Sequence, residues 1–109
     1  MAYIHQELAA GRWQQLSLCE QLGNVGSEVH RAMIWKDKDK GVYNRTVERA
    51  LELLDLTLAD SKHKGQLKEI ARARETVVDA YLGGKEYGST WEGLDKYFMA
   101  FAVAARKGK

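Results

Sequence analysis

The chain contains no proline and a single cysteine, Cys19. Without proline it has no strong helix breaker, so glycine must punctuate its elements. With one cysteine it can form no internal disulfide, which fits a reducing compartment. No apolar run approaches the roughly 20 residues that a membrane span requires. The first residues, Met1 to Leu8, lack the basic flank and apolar core of a secretory signal. The expectation is a cytoplasmic protein with no membrane contact. Alternation at every second residue is missing, so strands are not expected. Internal repeats and low-complexity segments are missing too. The net charge of +2 is too small to imply nucleic acid by itself.

What is present is the mixture of a folded domain. The 109 residues are 45% hydrophobic and 29% charged, and this length supports a single domain spanning residues 1–109 with a core of its own. Apolar residues recur at three and four, the spacing of amphipathic helices. Residues 3–10 read as a short lead-in helix stopped at Gly11. A long helix is expected from Trp13 to Trp35, with Leu18, Leu22, Val25, Val29 and Met33 on its apolar stripe. A band of small residues beside that stripe includes Cys19, Gly23 and Gly26. Glycine inside a helix costs about 1 kcal/mol relative to alanine, a loss usually offset by close approach of another backbone.

The second helix is expected from Val42 to Ala59, burying Tyr43, Val47, Ala50, Leu51, Leu54 and Leu58. Leu53 and Leu56 fall away from that face and suggest a second contact surface. The third helix follows a connector in which Asp60 or Ser61 is a plausible cap, and it ends at Gly83-Gly84. Ser89 and Glu92 have capping-box spacing for a fourth helix reaching about Arg106. Trp13, Trp35 and Trp91 fall near helix ends, where a buried ring with a wet N–H is expected. Four amphipathic helices with short connectors predict an all-α, up-down-up-down four-helix bundle.

One residue resists this pattern. The third helix has an apolar stripe of Leu67, Ile70, Ala71, Val77, Val78 and Tyr81, and Arg74 falls in its middle. A charge there must be paired, bind a ligand, or extend to water. Asp55, at the edge of the second helix's buried face, is the expected partner in a buried structural ion pair, with Tyr97 as a neutral contact.

Signatures of chemistry are weak throughout. Glu48, Glu52 and Asp55 share a flank, but helical di-metal sites need Glu-x-x-His, which the chain lacks. His5, His30 and His63 lie in different elements, and no metal or cofactor is expected. Cys19 and His30 are eleven residues apart on one helix, roughly 16 Å along its axis, too far to act together. The arginine-to-histidine spacing of four to six residues that marks a common class of small helical RNases is missing. Gly83-Gly84 lacks the Gly-Lys-Ser/Thr ending of a phosphate loop and follows a helix.

The stretches 18–31, 49–57 and 97–106 resemble a group of small uncharacterised prokaryotic all-helical proteins. The resemblance implies a cytoplasmic helical protein and brings with it no activity, cofactor or catalytic residue. Surplus apolar surface on a small bundle points to a homodimer or a protein partner. The expectation is therefore a non-enzymatic self-associating or adaptor module, with Gly23, Gly26, Leu53 and Leu56 as contacts. The alternative is a nucleic-acid-binding accessory protein using Lys64, Lys68 and Arg72 on the third helix with Arg106 and Lys107 at the C-terminal end.

Overall fold

The computed structural model describes residues 11–107. The expected lead-in helix at 3–10 lies outside the described residues. Four helices make up the bundle: α1 (Leu18–Trp35), α2 (Lys40–Leu58), α3 (Leu67–Tyr81) and α4 (Trp91–Lys107). There is no strand among the described residues. Neighbouring helices run antiparallel. Asp55 meets Arg74 and Asn44 meets Tyr81 across α2 and α3, while His30 meets Asp95 across α1 and α4. The up-down-up-down topology follows. α1 lies between α2 and α4, and α3 rests on α2 while touching α4 only lightly.

α1 begins five residues later than its apolar spacing suggests. Trp13–Gln15 form a separate 3₁₀ turn, and Leu16 is extended. Ser17 then opens the helix with a full capping box: its hydroxyl accepts the Glu20 N–H, and the Glu20 side chain accepts the Ser17 N–H. α2 is capped by Asp39, whose carboxylate accepts the Val42 N–H at 3.1 Å. Asp60 caps a 3₁₀ segment, Ser61–Gln66, and not α3 itself. Gly83 and Gly84 end α3 with φ of +105° and +77°, the left-handed region open to glycine. The cap of α4 comes from Thr90, whose hydroxyl accepts the Gly93 N–H at 3.0 Å. Ser89 does not cap, because α4 starts at Trp91 and leaves Thr90 in the cap position, while the Ser89 N–H turns to Asp79.

Leu22, Val25, Val29, Val47, Leu54, Ile70, Val77 and Phe98 fill the centre of the core. Trp13 and Trp91 close it at two places. Their N–H groups are not wet, as expected from the sequence, but bind the buried hydroxyls of Thr57 and Tyr43, each at 3.0 Å. Trp35 alone of the three is exposed.

Leu53 and Leu56 do not form an outer contact surface. They are 3% and 6% exposed and belong to the core. The 3₁₀ turn carrying Trp13 lies against α2 and covers the side that a simple bundle would leave bare. Gly23 and Gly26 face inward as well. A β-carbon on Gly26 would lie 2.8 Å from Cβ of Phe98, and one on Gly23 would lie 3.1 Å from Cα of Ala102. Both glycines serve the α1–α4 contact inside the chain, and α1 runs through them unbroken.

Candidate functional site

Arg74 and Asp55 are paired, with Nε donating to Oδ1 at 2.6 Å and Nη2 to Oδ2 at 3.4 Å. The pair is not buried: the side chains are 36% and 53% exposed. The buried apolar ladder of α3 is Ile70, Ala73, Val77 and Ala80, rotated by roughly 80° from the stripe inferred from sequence, at 100° per residue. That rotation carries Arg74 to the rim of the α2–α3 contact and leaves Leu67 and Tyr81 exposed. Tyr97 does not contribute to this pair, and its hydroxyl donates to Glu69 at 3.3 Å.

The buried polar chemistry lies elsewhere. Gln21, Asp60 and His63 are sealed inside the end of the bundle where α1 starts. The Gln21 amide nitrogen donates to the Trp13 carbonyl at 2.8 Å and to Asp60 Oδ2 at 3.0 Å. Its carbonyl therefore faces His63 Nε2 at 2.8 Å, and Nε2 must carry the hydrogen. Lys62 reaches both the Asp60 carboxylate and the Gln14 carbonyl. Burial works against the charge on Asp60, but hydrogen bonds from Lys62 and Gln21 outweigh it and hold its carboxyl at about 2. Burial pushes His63 below its ordinary value, opposed by the Asp60 charge. The cluster ties the N-terminal turn to the α2–α3 connector and offers no nucleophile. Gln21 and Glu28, seven residues apart on the inner face of α1, were the signal available in the sequence. Glu28 accepts from Arg31 at 2.8 Å through Oε1, while its buried Oε2 has no partner among the described residues.

Asp79 organises the α3–α4 loop. Its carboxylate accepts the N–H groups of Glu86, Tyr87 and Ser89 at 2.8, 3.2 and 3.0 Å. Burial opposes its charge, but these donors keep its carboxyl below the ordinary value. Beyond the loop, α3 and α4 splay and leave a groove of about 390 Å³ lined by Ala73, Thr76, Leu94 and Tyr97, with Glu69 and Arg72 also facing it. A second cleft of about 320 Å³ opens between α1 and α4 and is lined by Ser27, His30, Arg31, Asp95 and Met99. His30 Nδ1 lies 3.1 Å from Asp95 Oδ1 across its mouth.

The cations considered for nucleic acid are all exposed. Arg72 lies 4.6 Å over the ring of Tyr87, an attraction between guanidinium and π-cloud. Lys64 and Lys68 are near the start of α3, and Arg106 and Lys107 are near the end of α4. The antiparallel topology brings both sets to the same end of the bundle. Among the described residues no group of three His, Cys, Asp or Glu is placed to hold a metal, and no helix is long and apolar enough to cross a membrane.

The last half of α4 carries a long apolar run that is only partly covered. Eight apolar residues, Phe98 to Ala105, follow one another without a break. Phe98 and Ala102 meet α1. Met99, 47% exposed, borders the α1–α4 cleft, and on the other side Ala100 and Ala104 are exposed.

No family model, curated protein or solved structure matches this chain.

Proposed function

We propose that this chain is a non-enzymatic helical module that self-associates, with the outer face of α4 as its contact. The observation that carries the reading is the uncovered apolar side of Phe98–Ala105. Two turns of α4 are apolar without interruption, and here α1 covers one side of them while α3 touches the helix only lightly. A second copy of the chain fits that side by charge. Glu92, Lys96, Ala100, Val103 and Lys107 follow at helical spacing along the outer face. Two antiparallel copies of α4, centred between Met99 and Ala100, place Glu92 of each opposite Lys107 of the other. Ala100 and Ala104 allow the backbones to approach closely.

One helix face makes a small interface, so dissociation in the micromolar range or weaker is expected. Sedimentation equilibrium over a wide concentration range tests this. A dimer is expected for the native chain and a monomer for Ala100→Glu, with helical circular dichroism unchanged. Glu92→Lys is expected to weaken the dimer, and the double exchange Glu92→Lys/Lys107→Glu to restore it. A native chain that stays monomeric at the highest concentration overturns the reading.

A second reading, nucleic-acid binding, is favoured by the convergence of Lys64, Lys68, Arg106 and Lys107 on one end of the bundle. Salt-dependent retention on heparin that is lost in Lys68→Glu/Arg72→Glu would support it.

A further inference from the structure

His30 has a carboxylate on one ring nitrogen and an open approach to the other. It lies on α1 and Asp95 on α4, so the 3.1 Å contact between Nδ1 and Oδ1 is made across the helix interface. An ionised carboxylate only accepts, so Nδ1 carries the hydrogen and Nε2 presents its lone pair. The two side chains are 49% and 19% exposed. Asp95 is thus held against the bundle while the imidazole faces the cleft mouth. Gly23 and Gly26 bring α1 into close contact with Phe98 and Ala102 at the floor of the cleft. Ser27, one turn before His30, and Arg31 are its other polar groups. His63 offers no such access, since its ring is buried and its Nε2 is committed to Gln21.

We propose that Nε2 of His30 is a phosphoryl-acceptor site, loaded from a small activated donor of the acyl phosphate or phosphoramidate class. A carboxylate hydrogen-bonded to Nδ1 fixes the tautomer and the ring orientation, so that the lone pair of the neutral ring is on Nε2. It also stabilises the positive ring that forms when Nε2 is substituted. Acyl transfer fits the cleft less well. The α1 backbone N–H groups beside His30 are used within the helix, and Arg31 is held by Glu28, so donors for a tetrahedral oxyanion are few. Phosphoryl transfer asks for an oriented nucleophile approachable in line and for neutralisation of the phosphoryl oxygens, which a magnesium ion arriving with the donor supplies. With an acyl phosphate, the Nε2 lone pair forms the N–P bond. The P–O bond to the acyl group breaks, and the carboxylate leaves with that electron pair. The Nδ1 proton stays on the ring, shared with Asp95, and no other proton moves.

The test is incubation of the full chain with acetyl phosphate or phosphoramidate and magnesium, read by intact mass and ³¹P NMR. One acid-labile, alkali-stable phosphoryl group on Nε2 of His30 is expected. His30→Gln is expected to remain unlabelled, and Asp95→Asn to load at least about 10-fold more slowly. His5→Gln and His63→Gln are expected to label as the native chain does. Circular dichroism checks that each variant is folded. Failure of the folded native chain to label, label surviving in His30→Gln, or native loading rates in Asp95→Asn would each overturn the proposal. None of these outcomes depends on self-association.

Discussion

Gly26 and Phe98 touch so closely that no side chain fits between them: a β-carbon on Gly26 would lie 2.8 Å from that of Phe98. Phe98 is fully buried and anchored in the core, so it has little freedom to withdraw. Gly26→Ala therefore sets an overpacking cost of about 1–3 kcal/mol against a helix-propensity gain of up to about 1 kcal/mol. A net loss of about 1–2 kcal/mol is expected in urea denaturation. Gly65→Ala meets nothing within 4 Å and is expected to be close to neutral.

The Arg74–Asp55 pair is expected to matter little to stability. Half-exposed ion pairs are worth about 0–1 kcal/mol. Arg74→Met and Asp55→Ala should each lower stability by less than about 1 kcal/mol, with no large difference between them. Thermal unfolding checks this. A loss of several kcal/mol from Asp55→Ala alone would mean that a stranded charge had been left in the core.

Trp13 carries more than its place outside the four helices suggests. It is 1% exposed, bonds Thr57 on α2, and belongs to the same core as Leu53 and Leu56. Trp13→Ala is expected to lose about 3–5 kcal/mol and to increase binding of an apolar dye. Trp13→Phe keeps most of the ring volume, gives up the Nε1 bond, and should lose about 1–2 kcal/mol.

Acid should weaken the fold in two stages. The ordinary value of His63 is 6.5 and burial lowers it in the folded chain. As pH falls through 6.5 the unfolded chain takes up a proton that the folded chain resists, so stability drops. Asp60 is held at about 2 against an ordinary 3.8. Its contribution is present above 3.8 and is lost as pH falls from there through about 2. Urea midpoints measured from pH 7 to pH 2 should show both declines, and His63→Gln should remove the first. A profile flat between pH 7 and pH 5 would contradict the buried neutral imidazole.

The helices and their order were legible because four apolar stripes separated by glycine and polar connectors admit few arrangements. What escaped was the rotation of each helix and the covering of its flanks. On α3, Ala71 and Val78 are as apolar as Ala73 and Ala80, so spacing alone could not choose between two stripes, and Arg74 moved from centre to rim with the choice. On α2, Leu53 and Leu56 looked surplus because a bundle helix was given one buried face. The Trp13 turn supplies another, through a contact between residues 44 apart in sequence. Ser89 has capping spacing, but Thr90 next to it takes the cap position, and Asp79, ten residues earlier, draws the Ser89 N–H into the loop. The Gln21–Asp60–His63 cluster joins α1 to the α2–α3 connector, and its pairing is long-range in the same way.

Each corner of the chain is knotted by an aspartate. Asp39 takes a backbone N–H where α2 begins, Asp60 takes the Lys62 N–H after α2, and Asp79 takes three in the loop before α4. In strong acid the knots at Asp60 and Asp79 loosen, while the oily faces of the rods lose nothing by protonation. The corners then become the weak part of the molecule and the rods the durable part. A swollen acid form is the natural product, helical in the far ultraviolet and stripped of fixed aromatic signals.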